Sequence, residues 1–223
     1  RVFAKAIGVF LKKSEGIVII GASKVSRIIG DYLRKNKRHV VLIDNNQTNI
    51  DKAKKLGIEA ITANIYSDNL TDNIELNDVG YLMALTGNSD INRYAVNKFG
   101  QQFGENGSFR LIDADEMNDP ENNPKEGLFS HTDDFIKLTE TARKFPVIHE
   151  IELKDKEHYE GLIEITKADE NIVPIFLKTP DGDLKIIPSF STDFNDINEG
   201  CRLVYLGKVL EADDTEDDIE EED

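Results

Sequence analysis

The fold of this chain is decided by residues 16–26, which have the sequence Gly-Ile-Val-Ile-Ile-Gly-Ala-Ser-Lys-Val-Ser. The stretch begins with a short, apolar, β-branched run that ends in glycine, the pattern of a strand buried on both faces of a parallel sheet. From Ser23 to Asn36 the apolar residues recur at helical spacing. A buried strand that turns tightly at Gly21 into a helix is the opening unit of a dinucleotide-binding fold.

Strands and helices alternate downstream of this unit. Four further buried strands and two further helices are predicted, the strands at 39–44, 58–63, 81–86 and 108–112 and the helices at 47–56 and 89–103. Such alternation places the strands parallel, with helices on both faces of the sheet. We therefore predict an α/β fold with a Rossmann-like, doubly wound parallel sheet.

The alternation stops after residue 112. Residues 113–126 are rich in Asp, Asn, Pro and Glu and are predicted to form a long loop, followed by a helix at 132–144 that ends before Pro146. Beyond it, half-buried strands surround a helix at 156–167, and Pro180-Asp-Gly-Asp183 predicts a hairpin turn. The predicted division is a lead-in at 1–15, an N-lobe at 16–146, a smaller α+β C-lobe at 147–209 and a disordered acidic tail at 210–223.

Charge and composition exclude several classes of protein. The net charge is −16, and residues 211–223 alone hold ten acids and no base, so the rest of the chain carries −6. This excess of acid opposes binding to a phosphate backbone, and no nucleic-acid partner is expected. The single cysteine, Cys201, cannot form an internal disulfide and is predicted to be a small core residue. No apolar stretch approaches the roughly 20 residues of a membrane helix.

The turn after the first strand, Gly21-Ala-Ser-Lys-Val-Ser26, lies where a dinucleotide fold carries Gly-x-Gly-x-x-Gly. Ser23 and Ser26 occupy the second and third glycine positions. The Ser23 Cβ lies where a pyrophosphate would approach the backbone, although its hydroxyl is able to hydrogen-bond a phosphate. The free N–H groups that begin the following helix also form an anion site. The lost second glycine favours a mononucleotide such as AMP, or loosely bound NAD(H).

Polar residues follow the next strands at their carboxyl ends, where open α/β sheets bind ligands. Asp44 ends the second strand, at the position of an acid that binds ribose hydroxyls and repels the 2′-phosphate of NADP. Asn45 is expected to reach an adenine edge, Asn64 follows the third strand, and Thr86 follows the fourth. Two interpretations stay open: a cleft that binds an adenosine-type ligand, or an empty Rossmann fold in which Asp44 merely caps a helix.

The sequence shows no catalytic constellation. The four histidines, His39, His131, His149 and His158, are scattered without metal-ligand spacing. A nucleotide cleft without an acid, base or metal beside it indicates sensing, so we predict a protein that is not an enzyme and has no metal site.

These stretches resemble a known family. Residues 16–27, 40–44, 63–65 and 84–88 resemble successive signatures of the regulator-of-potassium-conductance N-lobe, also called the potassium-transport nucleotide-binding domain. Three later stretches resemble the C-lobe of the same family, namely 172–177, 181–188 and 198–207. The segments 103–110 and 123–134 are similar to the cytosolic tails of bacterial sodium/proton-type (cation:proton) antiporters.

The resemblance implies a nucleotide-sensing regulatory domain at the cytoplasmic face of the bacterial inner membrane. Its partners would be the transmembrane antiporter portion of the same polypeptide and, through the N-lobes, a second copy, with an adenine nucleotide, AMP or NAD(H), as ligand. The alternatives are a peripheral regulatory subunit of a potassium uptake system, an NAD-dependent oxidoreductase and a structural dimerisation module. The residues placed at the nucleotide are Gly21, Ala22, Ser23, Lys24, Val25, Ser26, Asp44, Asn45, Asn64, Ile65, Thr86 and Gly87.

Overall fold

The computed structural model describes residues 10–11, 16–67, 70, 78–117, 124–129, 135–189, 194 and 197–210. Several predictions fall outside these residues. They are most of the lead-in, the centre of the acidic loop, His131, the start of the helix predicted from residue 132, and the acidic tail after residue 210.

The secondary structure begins with two short strands and continues through an alternating segment into a strand-rich one. In chain order the elements are β1 (Phe10–Leu11), β2 (Gly16–Ile20), α1 (Lys24–Lys35), β3 (Val40–Asp44), α2 (Gln47–Lys55), β4 (Glu59–Thr62), β5 (Val79–Ala84), α3 (Ser89–Phe103), β6 (Gly107–Leu111), α4 (Ala114–Met117), β7 (Gly127–Leu128), α5 (Phe135–Lys144), β8 (Ile148–Glu152), α6 (Lys156–Ala168), β9 (Ile172–Lys178), β10 (Leu184–Ile186) and β11 (Arg202–Gly207).

The first sheet has six parallel strands in the order β4-β3-β2-β5-β6-β7. The chain proceeds outward from β2 to β3 and β4, then returns to the other side of β2 with β5. The direction of winding therefore reverses between β2 and β5, and this switch point is where doubly wound sheets bind ligands. The prediction of a Rossmann-like, doubly wound sheet is confirmed.

The apolar run of β2 is buried because helices cover both faces of the sheet. Ile17 and Ile19 face the core that contains α1 and α2, whereas Val18 and Ile20 face the core that contains α3. All four side chains are at most 3% exposed. Successive side chains of a strand point to opposite faces, so a strand between two helical layers needs apolar residues at every position.

Two short elements in the segment that forms the first sheet were not predicted from the sequence. The loop predicted at 113–126 contains α4, whose first turn is held by the Asp113 carboxylate as it accepts the Glu116 N–H at 2.9 Å. Directly after that loop, Gly127 and Leu128 form β7, the sixth strand, in register with the end of β6. A two-residue strand has no periodicity to detect, because it exists only through its hydrogen bonds to a neighbour.

The second sheet has five strands in the order β1-β10-β9-β11-β8, paired antiparallel. The predicted hairpin is confirmed: β9 and β10 pair around residues 179–183, where Gly182 has a positive φ of 81°. Cys201 is 2% exposed and packs in the core beneath this sheet, as predicted. The edge strand β1 comes from the segment predicted to be a lead-in.

The two sheets share one hydrophobic core, in which residues of α1 and α5 pack with residues of β9 and β11. The Tyr32 ring on α1 stacks on Phe176 of β9 with centroids 6.2 Å apart, and its hydroxyl donates to Glu150 of β8 at 2.8 Å. Burial and the Glu150 carboxylate both raise the pKa of Tyr32. The predicted lobe boundary near Pro146 lies in the exposed segment between α5 and β8.

Candidate functional site

A cleft of about 270 Å³ opens at the switch point, where β2, β3, β4 and β5 end. We call it the main cleft. In the part of the chain that the structure describes, its walls combine apolar and amide side chains with the carboxylate of Asp44. The lining residues are Ile20, Gly21, Ser23, Ile43, Asp44, Asn45, Asn49, Ala63, Asn64, Ile65, Tyr66, Leu85, Thr86, Gly87, Ile91 and Phe135.

The floor of the main cleft requires the glycine that was predicted to turn the chain. Gly21 has a φ of 96°, a region that side chains rarely adopt. A Cβ at this position would lie 3.1 Å from the Leu85 carbonyl oxygen and 3.1 Å from the Thr86 methyl carbon. Gly21 thus allows the ends of β2 and β5 to approach each other at the floor of the cleft.

The N-terminus of α1 opens onto the main cleft through its N-cap residue, Ser23. The Ser23 hydroxyl accepts the Ser26 N–H at 3.2 Å and lies 3.1 Å from the Ser26 hydroxyl. The side chain predicted to bind a phosphate therefore also caps the helix. The first turn of α1 carries no acid, so the positive end of the helix dipole is not neutralised there. This is the electrostatic setting of an anion site.

Asp44 lies opposite this helix end and holds the turn in place. Its carboxylate accepts the Ala22 N–H at 2.7 Å, the Asn46 N–H at 2.9 Å and the Asn49 amide at 3.2 Å. Arg27 donates to the Ala22 carbonyl, and burial lowers the pKa of Arg27 despite the opposing effect of Asp44. Asp44 therefore faces the cleft while also fixing the backbone of the glycine turn, a role that its position in the sequence did not reveal.

The predicted site residues divide into two groups in the structure. Those that line the main cleft are Gly21, Ser23, Asp44, Asn45, Asn64, Ile65, Thr86 and Gly87. The other four do not line it: Ala22, Val25 and Ser26 are buried at 0 to 1% exposure, and Lys24 is exposed on the helix outside the lining. For these four, a ligand role would rest on the backbone alone or, for Lys24, on its charge at the helix end.

Thr86 was predicted to lie at the nucleotide, yet its polar groups are bound within the protein. The Asn92 side chain accepts the Thr86 N–H at 3.0 Å and donates to the Thr86 carbonyl at 3.0 Å. The Thr86 hydroxyl lies 2.7 Å from Asn92 Oδ1 and accepts the Asn88 N–H at 3.2 Å. Asn92 is 1% exposed and also donates to the Leu111 carbonyl at 3.4 Å. It therefore joins the ends of β5 and β6 at the rim of the cleft.

Several lining residues were missed by the sequence-based prediction. Ile20, Ile43 and Leu85 belong to predicted strands, and the rule that ligands bind at strand ends would have found them. Tyr66 follows Asn64 after β4, is 54% exposed, and its ring lies 4.8 Å from that of Tyr94. Phe135 comes from α5, far along the chain, and no local pattern marks it.

A smaller side cavity of about 170 Å³ lies over the ends of β5 and β6. It is lined by Thr86, Gly87, Ser89, Asn92, Leu111, Ile112, Asp113, Ala114, Phe135 and Ile136. Three of these residues, Thr86, Gly87 and Phe135, also line the main cleft. The two cavities are therefore neighbours along the same edge of the sheet.

The described histidines lie away from both cavities. His39 is at the opposite, amino end of the sheet, where its ring nitrogens lie 2.9 Å from the carboxylates of Asp78 and Glu59. His149 contacts the Gly207 carbonyl at 3.1 Å, and His158 accepts the Lys154 N–H at 3.1 Å. Within the described ranges, no group of three His, Cys, Asp or Glu side chains is arranged to hold a metal ion. No helix in the same ranges is long and apolar enough to cross a bilayer.

The segment that forms this site also matches a known domain family. The match spans β2 to α4, and with them the glycine turn and Asp44. Residues 17–116 match the TrkA-N domain. Most of the lining of the main cleft lies within this TrkA-N segment, and Phe135 lies outside it. The N-lobe part of the resemblance seen in the sequence is therefore confirmed.

Solved structures similar to the chain include a TrkA-N domain of the inner membrane protein ybaL from Escherichia coli. It is 14% identical, with a TM-score of 0.37 over 45% of this chain and 76% of that one. An N5-carboxyaminoimidazole synthetase from Staphylococcus aureus is 17% identical, with a TM-score of 0.35 over 89% of this chain and 48% of that one. The corresponding ribonucleotide synthetase from Thermotoga maritima is 12% identical, with a TM-score of 0.33 over 86% and 45%.

The chain therefore spans less than half the length of either synthetase. These TM-scores are too low to bear on function. No curated protein matches the chain in sequence.

Proposed function

We propose that this chain is a nucleotide-sensing regulatory domain that controls a monovalent cation:proton antiporter, exchanging Na⁺ or K⁺ for protons, and that it is not an enzyme. The observation that carries the proposal is the main cleft. It combines the N-terminus of α1, the Asp44 carboxylate and an amide-rich far wall at the switch point of a TrkA-N segment. The transport role rests on the resemblance of the sequence to antiporter tails.

The cleft suits an adenosine nucleotide in one orientation. The phosphates would lie at the N-terminus of α1, beside Gly21 and Ser23. The ribose would bind Asp44, since a carboxylate has about four lone-pair sites and three are used by the protein's own N–H donors. The adenine would then lie against Ile65 and Tyr66.

The chemistry of the lining supports sensing over turnover. Among the described lining residues, the titratable side chains are those of Asp44 and Tyr66, and Asp44 is held by three hydrogen bonds. An oxidoreductase would need a proton donor or acceptor next to the nicotinamide, over β5 and β6. Within the described ranges the acid there is Asp113, whose carboxylate accepts the Glu116 N–H at the start of α4. We therefore favour a regulatory role.

Titration calorimetry with AMP, ADP, ATP, NAD and NADH tests the nucleotide proposal. Asp44→Asn keeps the shape of the side chain and removes its charge, so we expect it to weaken binding by about tenfold or more, as loss of a charged hydrogen-bond partner does. Asp51→Asn, an exposed acid on α2, is the matched control and should bind as the wild type does. If the wild-type protein binds none of these ligands, the main cleft is not a nucleotide site.

Regulation further requires that the nucleotide favour one arrangement of a dimer, because a ligand shifts an equilibrium only through different affinities for its two states. We propose a homodimer formed through the N-lobes and attached to the transmembrane portion of the same polypeptide at the cytoplasmic face of the bacterial inner membrane. Small-angle scattering with and without saturating nucleotide should show a change in dimer geometry. An unchanged curve would leave a binding module without a switch.

A peripheral regulatory subunit of a potassium uptake system is the alternative, with the same fold on a separate polypeptide. The two differ in what precedes Arg1 in the full-length protein. A run of membrane helices there supports the antiporter tail, and its absence supports the subunit.

A further inference from the structure

The aromatic ring of Phe135 lies where the main cleft meets the side cavity. It lines both cavities together with Thr86 and Gly87. A Cβ added to Gly87 would lie 2.8 Å from the Cδ1 and Cε1 atoms of Phe135, closer than real Cβ atoms come. The ring thus packs directly on the Gly87 backbone and forms part of the wall between the two cavities.

Helix packing fixes the position of this ring. Phe135 is the first residue of α5 and packs against the shared core. One and two turns further on, Leu138 and Ala142 are fully buried in that core. The Thr141 hydroxyl donates to the Glu170 carbonyl at 3.2 Å, which ties α5 to the chain just before β9. Since α5 is anchored along its length, a ligand would have to displace a packed helix end to move the ring.

The wall separates the two positions that the nucleosides of a dinucleotide would occupy at this edge of the sheet. A dinucleotide bound to a doubly wound sheet lies across the switch point, with one nucleoside over each half of the sheet. The main cleft lies over β2, β3 and β4, the adenosine half, and extends to the end of β5. The side cavity lies over β5 and β6, where the second nucleoside of a dinucleotide would be placed.

We infer that Phe135 is a specificity-determining residue that restricts this site to adenine mononucleotides by separating the main cleft from the side cavity. The inference rests on the proposed nucleotide-binding function and names the ligand class for the same site. The ring blocks the path from the main cleft to the side cavity, so the second nucleoside of NAD cannot enter its half of the site and contributes no binding energy. Gly87 contributes to the same specificity, because any side chain there would displace the Phe135 ring from its position.

The test compares ADP with NAD, which share the adenosine and the pyrophosphate, so that their affinity ratio isolates the nicotinamide riboside half. For the wild type we expect NAD to bind no more tightly than ADP. In Phe135→Ala and in Phe135→Leu, which retains apolar packing on the core, the side cavity joins the main cleft. We expect the ratio to shift towards NAD by about tenfold, the effect of a modest set of new contacts. Thr139→Ala, an exposed change on α5, should leave the ratio unchanged.

The possible outcomes are distinct. If the wild type binds NAD more tightly than ADP, the second nucleoside is accommodated and the inference is wrong, although the proposed function stands. If the wild type does not favour NAD but both Phe135 variants keep the wild-type ratio, another residue sets the specificity and the inference is again wrong. If neither ligand binds the wild type, the nucleotide proposal fails and the inference fails with it. Should neither variant fold, the wild-type ratio still tests the inference, because a preference for NAD contradicts it without any variant.

Discussion

The side chain of Asn92 hydrogen-bonds both backbone polar groups of Thr86, accepting its N–H and donating to its carbonyl, each at 3.0 Å. Thr86 follows β5 and bounds the main cleft, whereas Asn92 lies one turn into α3 and is 1% exposed. An amide can replace a missing strand partner in this way because it carries one acceptor and two donors in a single plane. The shape of the cleft rim therefore depends on a residue that does not touch the main cleft.

Asn92→Ala should destabilise the protein by about 2 to 3 kcal/mol, since it leaves the part-buried N–H and carbonyl of Thr86 without the partners that the Asn92 amide provides. Asn92→Asp keeps the acceptor and loses the donor, and an intermediate loss is expected. Urea denaturation monitored by circular dichroism measures both. Asn97→Ala, an exposed change on the same helix, should stay close to the wild type. Equal stabilities of Asn92→Ala and Asn97→Ala would contradict a structural role for the amide.

Glu116 should contribute stability that disappears in acid. Hydrogen bonds from Arg110, at 2.6 and 2.8 Å, are the main cause that lowers the pKa of Glu116 from 4.5 to about 2. Because the folded-state pKa is depressed, the contribution is complete above about pH 4.5 and is lost as the pH falls through 2. At 1.36 kcal/mol per pKa unit this shift corresponds to about 3.4 kcal/mol, and because solvent screens the partly exposed Glu116 carboxylate, Glu116→Gln should cost about 2 to 3 kcal/mol at pH 7.

The measurement is the free energy of unfolding of the wild type and of Glu116→Gln between pH 7 and pH 3. Their difference should shrink as the pH falls. Glu105→Gln, an exposed acid just after α3, serves as the control and should show no such trend. A difference that is constant with pH would mean that the Glu116–Arg110 pair stabilises the protein through packing and not through electrostatic attraction.

His39 should have the opposite pH dependence. Its ring lies between the Asp78 and Glu59 carboxylates, and although burial opposes it, these two partners raise the pKa of His39 above 6.5. Its contribution is therefore complete below about pH 6.5 and is lost as the pH rises through the raised pKa. Melting temperatures of the wild type and His39→Gln should differ most near pH 6 and converge in base.

The control for His39 removes its partners and keeps the ring. In a Glu59→Gln, Asp78→Asn double variant, the histidine-dependent change of melting temperature between pH 6 and pH 9 should vanish. If this change persists, another group titrates and the three-residue cluster at the amino end of the sheet is not its source.

Two glycines should respond in opposite directions to alanine. Gly161 lies inside α6, and a Cβ added there would have nothing within 4 Å, so Gly161→Ala should stabilise the protein by about 0.5 to 1 kcal/mol through helix propensity. Gly21→Ala should destabilise it by about 1 to 3 kcal/mol because of its positive φ and the nearby Leu85 carbonyl. Thermal denaturation distinguishes the two, and a stabilising Gly21→Ala would show that the turn is relaxed.

The sequence predicts the parallel sheet well because that sheet is built from periodic, fully apolar strands. Ser89–Phe103 is observed as a helix with the predicted bounds, and β2 to β6 all lie within a few residues of their predicted positions. The same rules could not find β7, which is two residues long and pairs with β6, or the described residues of β1, which pair with β10. Their formation depends on where the rest of the chain brings a neighbouring strand.

The candidate site was predictable only where it follows strand ends. Asp44 and Asn64 are found by that rule, and both line the main cleft. The strand-end rule does not find Phe135 or Asn92, and the reasons differ. Phe135 reaches the cleft through the packing of α5, which local sequence does not encode, whereas Asn92 resembles any polar residue of a surface helix until its burial is known.

The shared core couples the stability of the second sheet to ligand binding in the main cleft. Since α5 packs against α1 on one side and against β9 and β11 on the other, we expect the two sheets to unfold together. A nucleotide that binds only the native cleft should then slow backbone hydrogen exchange in β9 and β11 as much as in β2, although those strands contribute no atom to its binding site. The backbone hydrogen bonds of β9 and β11 would therefore persist longer when the ligand is bound, without a change in the conformation of those strands.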